Sequence, residues 1–259
     1  MADARSFFGP DDPPPYTEEC LEGDSDFLIT VDHASARIPA SLGTLGVSPS
    51  ELTRHIAWDI GALGVARGLS RRLNATLIAS NYSRLVIDCN RDPHVPSAIP
   101  LISEYTAIPG NEGLSEAARQ QRVDALFTPY QSRIAALLDA RAAAGRRTIL
   151  VSQHSMTPTF KGQSRAMHAA ILYNRDRRFA GAMLDLLRAD PTRVIADNEP
   201  YFVSDDTDYT VPVHAERRGL LHVEIEVRQD LVTTDSGQAE WADRIAHALV
   251  QARQLCLGE

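Results

Sequence analysis

Two histidines follow apolar, strand-like runs, at positions where an α/β sheet places its ligand-binding side chains. Residues 28–31 lead into His33, and residues 148–151 lead into His154. Ligands of α/β proteins bind along the edge formed by the carboxyl ends of the strands. Each imidazole could donate a ring nitrogen to zinc, and a carboxylate would complete a catalytic site with one open position. The simpler alternative is two unrelated histidines held by hydrogen bonds, but their shared position at strand ends favours metal ligands.

The third metal ligand is predicted to be a carboxylate, and Asp59 is the first choice. His55 and Asp59 lie four residues apart and would share one face if this segment is helical. Asp32 is an alternative, either as a ligand or as the group that orients a neighbouring imidazole. His55 is a further alternative. An ordinary role for Asp59 is also open, because an acid in the first turn of a helix is favoured by the helix dipole.

An asparagine–arginine pair follows a third apolar run. Residues 85–87 end abruptly in Asp88, and Asn90 and Arg91 come shortly after it. A guanidinium holds a carboxylate by two parallel hydrogen bonds, and the asparagine amide can add a donor beside it. We therefore expect a carboxylate clamp at this point. One or two more arginines near strand ends or loops could serve the same purpose, and the candidates are Arg84, Arg165, Arg217, Arg218 and Arg228.

A strand-like stretch near the C-terminus carries acidic residues in alternation. Glu224, Glu226 and Arg228 would share one face of this strand. Glu226 lies nearer the strand end and is the candidate general base, since a carboxylate beside a metal-bound water can take its proton and return it to a leaving amine. The alternative is a charged edge strand that resists aggregation. Tyr201 or Tyr209, in a polar loop, could offer a hydroxyl to an oxyanion.

These residues need a sheet to bring them together, and the pattern of the chain predicts one. Strands alternate with amphipathic helices, which favours one mixed or mostly parallel sheet covered on both faces, a three-layer α/β/α domain over residues 25–259. Residues 1–24, rich in proline, are predicted to be a flexible arm. A long loop is predicted over 92–113. Strands are predicted at 27–32, 76–79, 85–88, 148–152, 168–172, 193–196 and 221–227, and helices from Ser48 and at 59–73, 115–144, 176–188 and 236–255.

Composition limits the classes of function. The 259 residues are 44% hydrophobic and 23% charged, which is ordinary for a globular protein. A net charge of −8 argues against nucleic acid as the main partner but permits a small anionic substrate. The three scattered cysteines indicate neither a disulfide framework nor a cysteine-rich zinc site, and a reducing cytoplasm is the expected location. No apolar run is long enough to predict a membrane span, and no signal peptide is predicted.

Several ordered blocks of sequence resemble the N-formylglutamate amidohydrolase family over roughly residues 27–253. The resemblance implies a zinc-exopeptidase-like fold related to zinc carboxypeptidases and aspartoacylase-like deacylases. The matching blocks are Asp32-His33-Ala34-Ser35 with Ile38-Pro39, residues 55–62, residues 82–91, Ile108-Pro109-Gly110-Asn111, residues 154–158, Asp197-Asn198-Glu199-Pro200-Tyr201 and Glu224-Ile225-Glu226-Val227-Arg228.

By this resemblance the chain would hydrolyse an N-acyl amino acid, with N-formyl-L-glutamate giving formate and L-glutamate. One zinc ion would be held by His33, His154 and a carboxylate, while Glu226 moves the proton. The relatives have a glutamate three residues after the first histidine; here Ala36 stands there, so the carboxylate ligand must come from elsewhere. The resemblance also implies that Asn90 and Arg91 bind the substrate carboxylate. The remaining roles, charge neutralisation at a second carboxylate or at the oxyanion, are assigned to Arg84, Arg165 and Arg217.

Two alternatives stay open at this point. The first is a zinc hydrolase of another N-acyl amino acid or of a γ-glutamyl peptide, which would share the fold and the metal. The second is a catalytically silent protein that binds carboxylates without metal. The sequence does not indicate the oligomeric state.

Overall fold

A computed structural model of the protein describes residues 7–258. Eleven strands are present in this part of the chain: β1 (Tyr16–Glu19), β2 (Phe27–Val31), β3 (Thr76–Ser80), β4 (Ile102–Ser103), β5 (Thr106–Ala107), β6 (Ile149–Met156), β7 (Thr159–Phe160), β8 (Gln163–Ser164), β9 (Ala169–Leu172), β10 (Ile195–Asp197) and β11 (Leu221–Arg228). The α-helices are α1 (Pro49–Leu52), α2 (Ala62–Leu73), α3 (Glu116–Arg122), α4 (Thr128–Ala143), α5 (Arg178–Arg188) and α6 (Asp235–Leu257).

Seven of the strands form the central sheet, in the order β1-β3-β2-β6-β11-β9-β10. The middle four, β3, β2, β6 and β11, are mutually parallel. β1 joins one side antiparallel to β3, and the parallel pair β9 and β10 joins the other side antiparallel to β11. The predicted α/β class, with a mixed and mostly parallel sheet, is confirmed. The carboxyl ends of the four middle strands share one edge.

Helices cover the sheet on both faces. On one face α2, α5 and α6 pack over an apolar cluster that takes alternate residues from the strands, including Ile29, Val151 and Ile225. On the other face α4 packs over a smaller cluster that includes Leu28, Tyr130 and Leu150. None of the helices within residues 7–258 has the length and apolarity required to cross a membrane.

The predicted strand over 85–88 is wrong. Residues 85–91 form a buried series of turns, held by side chains instead of by a neighbouring strand. Ser83 Oγ accepts a hydrogen bond from the amide of Leu85 at 3.1 Å, and Asp88 Oδ1 accepts one from the amide of Asn90 at 2.9 Å. Short polar side chains that satisfy nearby amides compete with a sheet ladder, which explains why this apolar run is not extended.

Other boundaries moved in ways that affect the site. The predicted helix from 59 begins only at Ala62, after Gly61 with a φ of 81°. A Cβ at Gly61 would lie 2.2 Å from the carbonyl oxygen of Val232, so the close approach of these segments requires glycine. β6 extends to Met156, so His154 lies within the strand and not after it. The predicted helix over 115–144 is divided by a π-helical segment, Val123–Phe127, just before Pro129.

Within the predicted N-terminal arm, residues 16–19 are not irregular. They form β1, paired with β3 in the sheet. This strand begins directly after Pro15, the last proline of the arm. Proline has no amide hydrogen to donate to a sheet, so the strand can start only after it. Residues 1–6 of the arm and Glu259 lie outside the described residues, and the division into an arm and one catalytic domain stays a prediction. The predicted loop over 92–113 contains no element longer than three residues.

Candidate metal and substrate site

His33, Asp59 and His154 come together at the carboxyl edge of the sheet. Their side chains are buried, and one ligand atom from each lies within 4.8 Å of the others, so that the three could hold a metal ion. The Nδ1 atoms of His33 and His154 lie 3.4 Å and 2.9 Å from Asp59 Oδ2. The backbone amide of Asp59 donates to the carbonyl of His33 at 2.9 Å, which fixes the turn before α2 against the end of β2.

Each imidazole is oriented through its second ring nitrogen. Nε2 of His33 lies 2.6 Å from Asp88 Oδ1. Nε2 of His154 lies 2.9 Å from Ser152 Oγ and 3.3 Å from Asp32 Oδ2. A carboxylate on the far nitrogen is the usual support of a metal-binding histidine, because it sets the tautomer and the ring orientation. Of the two roles considered for Asp32, the geometry therefore favours orientation of an imidazole.

His55 does not join this group. It lies in a turn and not on a helix with Asp59, so the shared helical face predicted for the two residues is absent. Its Nε2 atom lies 3.5 Å from Glu104 Oε2, and both residues line the cavity. Asp59 is in the cluster because of the turn and its bond to His33, and not because of its spacing from His55.

Asp59 and Asp88, which lie against the imidazoles, are held towards the ionised form by their neighbours. Burial tends to raise the pKa of Asp59, but the charges and hydrogen bonds of His33 and His154 outweigh it and hold that pKa well below its usual range. Burial likewise tends to raise the pKa of Asp88, and Arg84 and His33 hold it well below the usual value. An ionised carboxylate is the form that a metal ligand or an imidazole support requires.

Two glutamates of β11 line the same cavity. Glu226 and Glu224 are both buried, and one carboxyl oxygen of each, Oε2, has no hydrogen-bond partner in the described residues. Glu226 lies opposite His154 in the register of β11 and β6. Burial, with the nearby charge of Asp59, raises the pKa of Glu226 to about 7. A carboxyl group that titrates near neutral pH is suited to take and return a proton.

The predicted clamp residues have partners of their own. Arg84 donates to Asp88 Oδ2 at 2.7 Å, and its second terminal nitrogen lies 3.5 Å from Asp59. Arg91 donates to the carbonyl of Thr207 at 3.2 Å, and its Nε lies 3.4 Å from Asp88 Oδ2. Both arginines line the cavity. They balance the acids of the cluster while lining the space beside it.

Asn90 is used mainly to hold a loop. Its Oδ1 accepts hydrogen bonds from the amides of Tyr209 and Thr210 at 3.0 and 2.9 Å. Its Nδ2 donates to Asp208 Oδ1 at 3.1 Å. The side chain lines the cavity, with one amide hydrogen remaining for a ligand.

Arg165 has no carboxylate within ion-pair distance in residues 7–258. It donates to the Tyr201 hydroxyl at 2.6 Å and to the carbonyl of Thr157 at 3.3 Å. Its guanidinium carbon lies 5.3 Å and 4.9 Å from the ring centres of Phe160 and Tyr201. Arg228 donates to the carbonyl oxygen of Arg165 at 3.0 Å, which fixes the backbone that carries this cation. Arg165 is therefore a cation at the cavity that is positioned by rings and carbonyls.

Arg217 does not belong to the site. It is exposed, in the middle of the short 3₁₀ turn Glu216–Arg218, and it does not line the cavity. The turn puts its side chain on the surface, so the predicted role in substrate binding is not supported. Tyr209 packs edge-on against Phe127 at 4.9 Å and does not line the cavity, whereas Tyr201 does.

The cavity has a volume of about 620 Å³. The sequence analysis did not single out Glu224 as a site residue, and it missed Glu104 and Phe160. Glu224 stands in the same alternating row as Glu226, which was an available signal. Glu104 and Phe160 come from loops that are remote in sequence, and only the tertiary fold brings them to the cavity.

The architecture is thus an α/β sheet with a buried two-histidine, one-aspartate site, able to hold a metal ion, at its carboxyl edge. The chain belongs to the N-formylglutamate amidohydrolase family, whose model matches residues 25–233. The predicted family is confirmed. No curated protein matches this chain.

Solved structures share the fold of this chain. A gene product of Agrobacterium tumefaciens is 40% identical, with 98% of this chain and 100% of that chain covered and a TM-score of 0.94. An N-formylglutamate amidohydrolase from Ralstonia eutropha is 18% identical, with 95% and 100% covered and a TM-score of 0.71. A bacteriophage poly-gamma-glutamate hydrolase is 10% identical, with 95% and 93% covered and a TM-score of 0.50. At these identities the last two show the fold alone.

Proposed function

We propose that this protein is a zinc-dependent amidohydrolase that cleaves the amide of an N-acyl amino acid, with N-formyl-L-glutamate as the reference substrate. The observation that carries the proposal is the buried cluster of His33, Asp59 and His154, with the unpaired carboxyl oxygen of Glu226 lining the same cavity. Membership of the N-formylglutamate amidohydrolase family supports the choice of reaction.

The donor set fits zinc. Two imidazoles and one carboxylate are the protein ligands of many hydrolytic zinc sites, which leave a fourth position for water or substrate. Both imidazoles turn Nδ1 towards Asp59, while their Nε2 atoms are engaged by Asp88 and by Ser152 and Asp32. The nitrogens that would bind the metal are therefore already separated from those that hold the rings in place.

A zinc ion bound there would polarise the amide carbonyl and lower the pKa of a water molecule. Glu226 takes the proton of the attacking water and delivers it to the nitrogen of the amide. The C–N bond breaks and a C–O bond forms, so that the products are a carboxylic acid and a free amine. Arg84 lies where it can offset negative charge developing on the carbonyl oxygen. Arg91 and Arg165 supply the cations for substrate carboxylates.

The test is metal-dependent release of formate and glutamate. Protein stripped with a chelator is assayed on N-formyl-L-glutamate before and after one equivalent of zinc is restored. The expected result is no turnover without metal, one zinc bound per chain, and recovery on reconstitution. His33→Ala and His154→Ala should lose both zinc and turnover. His247→Ala is the matched control, because His247 is exposed on α6 and bonds only to the carbonyl of Asp243.

Zinc binding that survives both substitutions would contradict the proposed ligands. A chain that binds no zinc and hydrolyses nothing, yet binds N-acyl amino acids, would instead be a carboxylate-binding protein. The same chemistry on another N-acyl amino acid or on a γ-glutamyl peptide is the second candidate function. The large cavity favours it, since pockets of about 300–1,000 Å³ bury ligands of drug size.

A further inference from the structure

Large apolar side chains are exposed around the mouth of the cavity. Among residues 7–258 ten large apolar side chains are exposed, and six of them lie in three segments at this mouth, 101–105, 160 and 201–202. Four of the six also line the cavity and form what we call the apolar rim: Ile102, Phe160, Tyr201 and Phe202. Exposed apolar groups gathered at one place mark a binding surface, whereas single ones scattered over a surface need no explanation.

The rim is held in place by polar contacts behind it. The guanidinium of Arg165 packs against the rings of Phe160 and Tyr201 and donates a hydrogen bond to the Tyr201 hydroxyl. Glu104, between β4 and β5, accepts a hydrogen bond from the amide of Lys161, between β7 and β8, at 3.1 Å. The two hairpins are thereby joined across the mouth. A supported rim can contact a ligand with little loss of conformational entropy.

Most of the charge of the cavity lies at its buried end, and the cation at the rim, Arg165, packs against the rings of Phe160 and Tyr201. The imidazoles, Asp59, Asp88 and the two β11 glutamates lie buried at the sheet edge, with Arg84 and Arg91 beside them. The rim side chains are far more exposed, with Ile102 at 65% and Phe202 at 62%. A ligand complementary to this cavity has a charged part near the metal ligands and an apolar part at the mouth.

A formyl group leaves the apolar part without an occupant. It carries only a hydrogen atom on its carbonyl carbon, so N-formylglutamate has nothing apolar beyond the scissile bond on the acyl side. Its carboxylates are matched by the arginines and not by Ile102, Phe160 or Phe202. Each methylene group moved from water onto such a surface contributes about 0.8 kcal/mol when fully buried, which is close to fourfold in a binding constant.

We infer that the substrate carries an apolar acyl group, aromatic or of medium chain length, which lies on the apolar rim while the amino-acid part lies towards Arg91. The inference rests on the proposed function and names the substrate class of that same site. The reaction is unchanged: water cleaves the amide, giving an apolar carboxylic acid and a free amino acid.

The experiment compares N-formyl-, N-acetyl-, N-hexanoyl- and N-phenylacetyl-L-glutamate on the zinc-loaded protein. We expect kcat/KM to be at least about tenfold higher for the hexanoyl or phenylacetyl substrate than for the formyl substrate. A fall in kcat/KM from formyl to the larger acyl groups would overturn the inference. The inference would also be overturned if kcat/KM for N-formyl-L-phenylalanine exceeded that of every acyl glutamate, because the apolar preference would then concern the amino-acid side chain.

Variants of the rim locate the effect. Phe202→Ala and Ile102→Ala should lower the ratio of kcat/KM for the phenylacetyl and formyl substrates at least threefold. The matched controls are Tyr105→Ala and Leu101→Ala, which remove similarly exposed side chains that do not line the cavity. If this ratio of kcat/KM values is unchanged in both rim variants, or falls equally in the controls, the acyl group does not bind at the apolar rim.

Binding separates this inference from the proposed reaction. Dissociation constants of the formyl and phenylacetyl glutamates are measured calorimetrically on zinc-loaded Glu226→Gln protein, which should bind without turnover. Tighter binding of the phenylacetyl compound supports the apolar rim even if the wild-type chain hydrolyses neither compound. Equal or weaker binding refutes the rim even if N-formylglutamate is hydrolysed.

Discussion

The two faces of the central sheet are built from the same strands but bury different side chains. On β11, Val223, Ile225 and Val227 enter the apolar cluster under α2, α5 and α6. The residues between them, Glu224 and Glu226, are also buried but line the cavity. Towards the carboxyl ends of β2 and β6 the alternation is the same, with Ile29 and Val151 on the apolar face and the polar Thr30 and Ser152 on the other, which we call the polar face. Earlier in these strands, Leu28 and Leu150 of the polar face pack in the apolar cluster under α4.

The difference shows where stability and chemistry are separated in this molecule. A buried apolar side chain stabilises the fold by about 1.5–3 kcal/mol relative to exposure. A buried ionisable group costs free energy unless charges or hydrogen bonds compensate for it. The apolar face therefore contributes stability that allows the carboxyl edge of the other face to keep carboxyl oxygens without hydrogen-bond partners. Changes on the two faces should have separable effects on turnover and on unfolding.

The largest expected effect is on the polar face. Glu226→Gln removes the group that takes and returns the proton, and kcat should fall about 10²–10⁴-fold. Zinc content should stay at the wild-type level, and the free energy of unfolding should not fall, since a buried ionisable group has been removed. Steady-state kinetics, metal analysis and urea denaturation measure the three quantities.

Glu112→Gln is the control for this substitution, because Glu112 is exposed and forms no ion pair among the described residues. It should leave kcat unchanged. A Glu226→Gln protein with wild-type kcat would remove this residue from the mechanism. A protein that loses zinc together with activity would show that Glu226 helps to hold the metal.

A substitution at Ile225, next to Glu226, should lower stability and leave kcat largely unchanged. Ile225 has no exposed surface and lies between the two glutamates on the apolar face. Ile225→Ala should lower the free energy of unfolding by about 2–5 kcal/mol, through lost burial and the cavity left behind. The folded fraction should keep a kcat of the wild-type order. Urea denaturation and an assay at low temperature test this. A kcat reduced as strongly as in Glu226→Gln would show that the two faces are not separable.

The sequence was sufficient to predict the positions that follow from strand periodicity. His33, His154 and Glu226 come at or near the ends of β-branched and apolar runs, and the carboxyl edge of a parallel sheet brings such residues together. Asp59 was also named, but for the wrong reason. It reaches the cluster through a turn held by a backbone hydrogen bond, and Gly61 is the local sign of that turn.

The remainder of the site depends on features that periodicity does not describe. The apolar run at 85–88 is buried without being a strand, because Ser83 and Asp88 satisfy the backbone locally. The ends of such runs do not distinguish a strand from a buried turn. Phe160 and Phe202 are separated by 42 residues in the chain (202 − 160), and only the joined hairpins and the loop after β10 bring them to one cavity mouth. The prediction for Arg217 was wrong for a different reason. This residue is close to β11 in sequence, but the fold does not place it near the site.

The most gradual effect, a change of stability with pH, should come from His214, in the segment Thr210–Ala215. It tests what it costs to ionise a buried histidine outside the metal site. Burial lowers the pKa of His214 from 6.5 to about 4, and its Nε2 lies 2.6 Å from Gln131 Oε1. Between about pH 6.5 and pH 4 this histidine is protonated in the unfolded chain but stays neutral in the folded state. The free energy of unfolding therefore falls as the pH is lowered through this range, by up to about 3 kcal/mol. The glutamine of His214→Gln cannot gain a proton. Over that pH range the wild type should therefore lose more unfolding free energy than the variant does. Urea denaturation of metal-free protein at pH 7 and pH 4.5 measures the shift, with exposed His247→Gln as the control that keeps the wild-type dependence. If His214→Gln loses as much stability on acidification as the wild type does, the histidine is not buried in its neutral form.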